Sequence, residues 1–258
     1  MNFDADTIGC AGIVERGDPD RFRAAMAAPP KARAVLFPLY AFNVEVSRAP
    51  WASQEPMIAE MRLQWWRDAL DEIATGKPAR RHEVVTPLAR ILSPEQAAAL
   101  DAAVTARQWD IDREPFENDA ALIAHIDATA GLLMVTAAQS LGAADPDTVR
   151  DYARAAGVAA WLRAAPDLEA RGRIPLLDGT PEGIRGLAQI GQTALRNARR
   201  NRARVSAAAR PALLAGWQAA GLLDRAAKDP GCVAAGALVP GPFQSGARLM
   251  WQAATGRW

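Results

Sequence analysis

The chain has 258 residues; half of them are apolar, and 30 basic residues nearly balance 29 acidic ones. A chain of this length and apolar content can bury a core of its own, which excludes an intrinsically disordered protein. The net charge of +1 gives no support to a nucleic-acid partner. Cys10 and Cys232 lack metal-ligand spacing and form no disulfide framework, so we expect a reducing compartment and no zinc site.

The amino terminus carries acidic residues where a secretory signal carries basic ones, and no apolar core follows it. No uninterrupted apolar run approaches the roughly 18 residues of a membrane-spanning helix. We therefore expect a cytoplasmic protein without export, and any contact with the inner face of the cytoplasmic membrane would be made from the surface.

Helix-forming residues dominate the chain, β-branched residues are few and period-2 alternation is absent, which predicts an all-α fold. No linker or internal repeat divides the chain, so one domain over residues 1–258 is expected. Pro38 should kink the second helix. The predicted helices cover residues 22–28, 31–47, 55–75, 94–108, 118–141, 146–165, 181–205, 211–220 and 243–254, with boundaries taken from capping residues, prolines and glycines.

The predicted helix over residues 55–75 has the clearest apolar face. At 100° per residue, one broad apolar stripe contains Ile58, Met61, Trp65, Ala69 and Ile73. This phase places Trp65 at the centre of the core and Trp66 at its rim.

Three charged residues stand on helix faces that are otherwise apolar: Arg62, Asp127 and Arg163. A buried charge costs several kcal/mol unless it is paired, so each needs a partner. One interpretation is a structural ion pair between Asp127 and one of the two arginines. The other is that the three line a central polar pocket between helices, and both can hold at once.

Several enzyme classes lack their signatures in this chain. There is no GxSxG nucleophile motif, no GxGxxG after a strand and no phosphate-binding P-loop, which argues against hydrolases, dehydrogenases and nucleotidases. His82 is predicted in a loop and His125 on the polar side of a helix, and neither is expected to be catalytic.

The densest charge cluster is the basic run over residues 196–204, with the sequence RNARRNRAR. A solvated helix face is the default interpretation of such a run. With the amphipathic segment over residues 243–254, it could instead form a docking surface for an anionic membrane or an acidic partner.

Three segments carry a family resemblance: RAVLFPLYAFNVEVSR, RLQWWRDAL and AGVAAWLRAAPDLEARGRIPLL. In this order they resemble the active-site helices of squalene/phytoene synthases, and the matching part runs over about residues 17–177. The resemblance implies an all-α isoprenoid synthase bundle around a central cavity, with residues 178–258 adding C-terminal helices.

In active members of that family, two aspartate motifs on facing helices hold Mg²⁺ against a prenyl diphosphate. The positions that the resemblance assigns to the first motif read Ser47, Arg48 and Trp51 here, and those of the second read Ala164 and Leu168. The resemblance therefore implies no metal ligands, no metal cofactor and no catalytic residue. Arg48 could replace the metal as a static phosphate clamp.

The same replacement is found in one branch, the squalene/phytoene synthase-like assembly factors of respiratory complex I, which this chain resembles in AFNVE, in EPMIAEMRLQWWRDALDEIATGKP and in GVAAWLRAAPDLEARGR. The branch implies a non-catalytic protein whose partner is a complex I subunit or another assembly factor, with a lipid or prenyl molecule as the ligand that the cavity could take. The alternative is a prenyltransferase that condenses farnesyl or geranylgeranyl diphosphate with Mg²⁺. Candidate cavity residues are Tyr40, Arg48, Arg62, Trp65, Asp127, Arg163 and Arg173.

Overall fold

The structure, a computed structural model, describes residues 4–53, 55–239 and 242–258, without the side chains of residues 242–245. Its regular elements in these ranges are helices, and the β pairing there is an isolated bridge between Ala144 and Val205. The predicted all-α class is confirmed. The helices are α1 (Ala5–Gly17), α2 (Pro19–Ala27), α3 (Pro30–Arg48), α4 (Pro56–Ala74), α5 (Val85–Ala89), α6 (Pro94–Thr105), α7 (Trp109–Asp112), α8 (Asp119–Ile126), α9 (Leu132–Leu141), α10 (Pro146–Ala170), α11 (Pro181–Arg200), α12 (Ala219–Lys228), α13 (Gly231–Ala234) and α14 (Pro242–Thr255).

Local sequence sets many of the helix starts. Asp18, Asn118 and Asp145 cap α2, α8 and α10 by accepting hydrogen bonds from backbone N–H groups three residues ahead. Ser93 and Gln96 form a reciprocal capping box at the start of α6. These bonds satisfy donors that the first turn of a helix leaves open.

Some predicted boundaries are wrong. Helix α1 lies outside the predicted helices, because its apolar residues do not form one distinct face. Helix α10 continues through Pro166 to Ala170 and does not end at residue 165. Residues 201–205 lie beyond α11, and the predicted helix over 211–220 is a 3₁₀ segment followed by α12.

Helix α10 runs through the middle of the bundle and packs against α8, α9, α11 and α12. Its Gly157 lies so close to Ile126 that a Cβ atom there would overlap the isoleucine side chain. The close approach of α8 and α10 therefore depends on this glycine. Tyr152, also on α10, is among the largest fully buried side chains of the core.

Helices α8 and α9 form one continuous helical run that is interrupted by a π turn, Asp127–Gly131. Within the turn, the Thr129 hydroxyl donates to the backbone oxygen of His125 at 2.8 Å. Among the described residues, Asp119–Leu141 is long and apolar enough to cross a membrane, but more than half of its most apolar part is buried against the rest of the protein. The core helix of a bundle has the same length and composition, so this stretch gives no clear membrane span.

The apolar stripe predicted for α4 is right at Ala69 and Ile73, which are buried, and wrong in the first half of the helix. The structure buries Trp66, whose ring meets that of Phe42 edge-on at 5.5 Å, and leaves Trp65 half-buried. Ile58 and Met61 are exposed. The apolar arc of α4 is wider than one face, and the half that packs on the core carries Ala59, Leu63, Trp66, Leu70 and Ile73.

Candidate functional site

A central cavity of about 340 Å³ lies between α3, α8 and α10, with the α1–α2 junction and residues 107–110 closing its sides. The positions that the family resemblance assigns to the two metal motifs all line it: Ser47, Arg48 and Trp51 after the first segment, and Ala164 and Leu168 on α10. The structure thus brings the two motif regions together on one wall. The side chains there are one hydroxyl, one guanidinium and three apolar groups.

Positive charge exceeds negative charge on the cavity wall. Two carboxylates line it, and each lies beside an arginine: Asp18 Oδ2 accepts from Arg21 Nη1 at 2.7 Å, and Asp110 Oδ2 is 3.7 Å from Arg107 Nη1. Four arginines line it: Arg21, Arg48, Arg107 and Arg171. An anion is therefore the complementary ligand.

Asp110 and Arg107 form a buried pair beside the cavity. Burial raises the pKa of Asp110, which the nearby Arg107 and Arg173 partly oppose, and burial lowers the pKa of Arg107. Asp110 Oδ2 has no hydrogen-bond partner among the described residues. Packing and electrostatic attraction therefore hold the pair, with Arg107 Nη1 and Asp110 Oδ2 3.7 Å apart and no hydrogen bond between the two side chains.

The guanidinium groups of Arg171 and Arg173 stack on the ring of Trp51. Arg171 and Arg173 lie with their Cζ atoms 5.0 and 4.7 Å from the ring centroid. Arg173 is buried and donates through Nη2 to the backbone oxygen of Asp110, while its Nε and Nη1 have no partner in the described part of the chain. Stacking on Trp51 therefore positions the Arg171 guanidinium on the cavity wall, whereas Arg173, a predicted cavity residue, lies beside Trp51 and does not line the cavity.

His125 lines the cavity and is buried, so the prediction of a polar helix face for it is wrong. Its ring belongs to an aromatic cluster with Trp109, Phe116 and Trp161, at centroid distances of 5.3 to 5.8 Å from each. Desolvation, together with the charge of Arg107, lowers the pKa of His125 to about 3. The imidazole is neutral at pH 7 and adds no charge to the cavity.

A second chamber of about 110 Å³ continues the cavity inward and shares Arg21 and Gly157 with it. Tyr40 and Arg163, two of the candidate cavity residues, line this chamber together with Asp18, Leu133 and Met134. The Tyr40 hydroxyl donates to a backbone oxygen at 3.4 Å, and burial raises its pKa. Both chambers therefore combine guanidinium groups with apolar side chains, since Arg21 and Arg163 line the inner chamber beside Leu133 and Met134.

Arg163 forms its ion pair away from Asp127. Its Nη1 donates to Asp20 Oδ2 at 2.9 Å and to Gln218 Oε1 at 2.6 Å. Asp127 instead accepts two hydrogen bonds from Arg154, at 3.0 and 2.6 Å. The predicted pairing of Asp127 with Arg62 or Arg163 is wrong, because Arg154 on α10 binds both carboxylate oxygens of Asp127.

Two further candidates lie outside the central cavity. Arg62 is exposed, and Arg62 and Trp65 line a separate surface pocket of about 200 Å³ with Arg48. Arg48 lines both pockets. Its side chain is 54% exposed, and its Nη1 atom lies 4.0 Å from Glu45 Oε1. The placement of Arg62 on a buried face is wrong for the same reason as the phase of α4.

Sequence reasoning missed four wall residues, namely Arg21, Arg107, Asp110 and Arg171. The spacing of Arg107 and Asp110 was the available signal, since residues three apart share a helix face. The predicted helix ended at residue 108, between Arg107 and Asp110. The two residues were therefore not recognised as neighbours on one helix face.

Magnesium is held in proteins by carboxylate and other oxygen ligands in near-octahedral geometry. The cavity's carboxylates, Asp18 and Asp110, both lie beside guanidinium groups that compete for them. Over residues 4–53, 55–239 and 242–258, no group of three or more His, Cys, Asp or Glu is arranged to hold a metal ion. The donor set therefore does not fit the magnesium centre that prenyl diphosphate chemistry requires.

The fold and the cavity define a class: an all-helical bundle of the isoprenoid synthase type. A dehydrosqualene synthase crystallised with a ligand superposes with a TM-score of 0.77 at 15% identity, covering 97% of this chain and 96% of that chain. Squalene synthase HpnC from Alicyclobacillus acidocaldarius gives a TM-score of 0.72 at 16% identity, covering 86% and 93%. At these identities the likeness shows the fold alone.

Sequence comparison gives the family. The sequence model of the squalene/phytoene synthase family matches residues 14–238, and the chain belongs to this family, as the resemblance predicted. It is 30% identical over 195 residues to the NADH dehydrogenase (ubiquinone) complex I, assembly factor 6 homolog of Drosophila melanogaster, covering 70% of this chain and 56% of that protein. It is 24% identical over 162 residues to the human complex I assembly factor 6, covering 61% and 48%. The chain spans about half the length of these curated relatives.

Proposed function

We propose that this protein is a non-catalytic member of the squalene/phytoene synthase family that acts in the assembly of respiratory complex I. The names of its relatives in fly, cattle and human support this role. The observation that carries the non-catalytic part is the cavity wall, because the positions of both metal motifs face the cavity and none carries a carboxylate. Without facing carboxylates a prenyl diphosphate cannot be ionised through bound magnesium.

In this proposal the cavity binds a ligand without converting it. The outer cavity has four arginines against two paired aspartates, and the inner chamber adds Arg163 and the apolar side chains of Leu133 and Met134. This combination suits an amphiphile, such as a lipid or a prenyl compound, whose phosphate contacts guanidinium groups and whose tail packs on the apolar side chains. Bound ligand would stabilise the fold and could present a defined surface to the partner.

The proposed partner is a complex I subunit or another assembly factor, met in the cytoplasm at the inner face of the membrane. The absence of a clear membrane span among the described residues is compatible with this location. An assembly factor needs reversible contact and not insertion, so a peripheral position suits the role.

The first experiment tests catalysis. Purified protein is incubated with farnesyl or geranylgeranyl diphosphate and Mg²⁺, and diphosphate release is measured. We expect none above the rate in buffer. Steady release that EDTA abolishes would contradict the proposal and favour a prenyltransferase.

The second experiment tests the assembly role in cells. Deletion of the gene is expected to lower the amount of assembled NADH:quinone oxidoreductase in membranes and to leave carotenoid and hopanoid levels unchanged. Complementation with Arg107→Gln should restore assembly poorly, whereas Arg81→Gln, at an exposed position outside the cavity, should restore it fully. Loss of the lipids with normal complex I would overturn the proposal.

A further inference from the structure

The charges of this chain are divided unevenly along its length. Residues 183–258 contain eleven arginines and lysines and two acidic residues, Asp224 and Asp229, whereas residues 1–182 contain 19 basic and 27 acidic residues. The near-zero net charge therefore conceals an acidic part and a strongly basic C-terminal part. Such an asymmetry creates a local positive potential that a global charge count does not reveal.

The basic residues concentrate at the C-terminal end of α11. Five arginines are exposed there: Arg196, Arg199, Arg200, Arg202 and Arg204. In the described part of the chain, none of the five lies within 4.0 Å of an Asp or Glu side chain. Asp145, whose carboxylate caps α10, is the acidic group that Arg204 influences, and Arg204 contributes to the lowered pKa of Asp145. Most of this charge is therefore not neutralised within the chain.

The last helix adds apolar side chains at the same end of the bundle. Arg199 Nε donates to the backbone oxygen of Trp258 at 3.1 Å, which ties the residues after α14 to the end of α11. On α14, Leu249 is buried, whereas Met250 and Trp251 are 66% and 51% exposed. An exposed tryptophan and methionine thus accompany the five arginines; these seven residues are the C-terminal basic surface.

We propose that the C-terminal basic surface docks on an anionic lipid bilayer. Arginines near a bilayer are attracted to acidic headgroups, and tryptophan prefers the boundary between headgroups and acyl chains. Here the arginines lie at the end of α11, and the exposed apolar side chains lie on α14, whose Leu249 is buried; basic and large apolar side chains exposed together are typical of surfaces that lie in the plane of a membrane interface. An acidic protein would match the charge but would leave Met250 and Trp251 without a role, so a lipid surface fits the whole set better.

Docking on the bilayer would bring the protein close to membrane-bound complex I subunits. The docking proposal itself does not depend on the proposed role in complex I assembly. Its test therefore uses lipid and purified protein alone. A failed vesicle experiment would leave the assembly proposal standing, and a failed deletion experiment would leave the docking surface standing.

The experiment is sedimentation of the full chain with vesicles of phosphatidylcholine, alone or with about 30 mol% phosphatidylglycerol, where each basic residue near the surface adds to binding. We expect binding to the anionic vesicles only, with weakening as salt is raised. The triple variant Arg200→Gln, Arg202→Gln, Arg204→Gln should lower the partition coefficient by about a hundredfold. The matched control, Arg62→Gln, Arg81→Gln, Arg113→Gln, removes the same charge from exposed positions elsewhere and should change it less than about threefold.

The apolar contribution has its own matched pair. Met250 and Met61 are equally exposed, each at 66%. Met250→Ala should weaken vesicle binding by about threefold and Trp251→Ala by about tenfold, whereas Met61→Ala should have no effect. Equal effects of the two triple variants, equal effects of the two methionine variants or binding without preference for anionic lipid would each overturn the proposal.

Discussion

Two groups of arginines in this molecule differ in how they are held. The first group lies towards the outside and is bound by carboxylates in forked hydrogen bonds, as Arg154 is by Asp127 and Arg80 by Glu72. The second group surrounds the central cavity, where Arg107 has a carboxylate only at 3.7 Å and Arg171 and Arg173 stack on Trp51. The side chains are the same, but their partners are not.

The difference separates a structural role from a binding role. Forked pairs use up the hydrogen-bonding capacity of both groups, and what they contribute is stability. Stacking on Trp51 fixes the position of the Arg171 guanidinium on the cavity wall without engaging its N–H groups, whereas Arg173 Nε and Nη1 are buried without a partner in the described part of the chain. In the proposed function, the arginines that line the cavity would contact the ligand.

The largest stability effect is expected at the first group. Arg154→Met should lower the free energy of unfolding by about 2 to 3 kcal/mol, because Asp127 would keep its charge in a partly buried place without its forked partner. Urea unfolding monitored by circular dichroism measures this. Arg150→Met, which removes a pair to the exposed Asp147 one turn earlier on α10, is the control and should cost less than about 0.5 kcal/mol. Equal losses would erase the distinction between buried and exposed pairs.

A second effect concerns the neutrality of the cavity wall. The pKa of His125 is about 3 in the fold, below the ordinary value of 6.5, so the folded state favours the uncharged ring. This stability is fully present above pH 6.5 and is lost as the pH falls towards 3. Between pH 7 and pH 5 the loss should be about 2 kcal/mol.

The measurement for His125 compares urea unfolding at pH 7 and pH 5 in the wild type and in His125→Gln. The loss on acidification should be about 2 kcal/mol smaller in the variant, since glutamine does not titrate. An identical pH dependence would mean that His125 is protonated in the folded protein and that the cavity becomes more positive in acid.

The sequence predicted the helical class, the family and the cavity positions on α3 and α10, because these depend on composition and on contiguous segments. It failed where the outcome depends on which of two apolar faces meets the core. On α4, Trp65 and Trp66 are neighbours, and only the packing of Phe42 against Trp66 decides which one is buried. Helical periodicity alone cannot make that choice when the apolar arc is wide.

Partners in an ion pair were equally hard to predict. Asp127 needed an arginine, and the structure supplies Arg154 from a helix that is 27 residues away in the chain. The choice between Arg62, Arg154 and Arg163 depends on the π turn at Asp127, which rotates the helix by an extra residue. A regular 3.6-residue period contains no sign of such a turn.

The smallest stability effect is expected at the cavity arginines. Arg171→Met should change the free energy of unfolding by less than about 0.5 kcal/mol, because Arg171 is exposed and has no carboxylate partner among the described residues. Arg173→Met should stay within about 1 kcal/mol, since the loss of its hydrogen bond to Asp110 is offset by removal of an incompletely bonded buried charge. Both are measured by urea unfolding.

A loss of 3 kcal/mol or more in Arg173→Met would place it with the paired arginines and assign it a structural role. If both variants unfold like the wild type yet fail to restore assembled complex I in the deletion strain, the charges around Trp51 act through what they bind. The effect on complementation should then be larger for Arg171, which lines the cavity, than for Arg173, which does not.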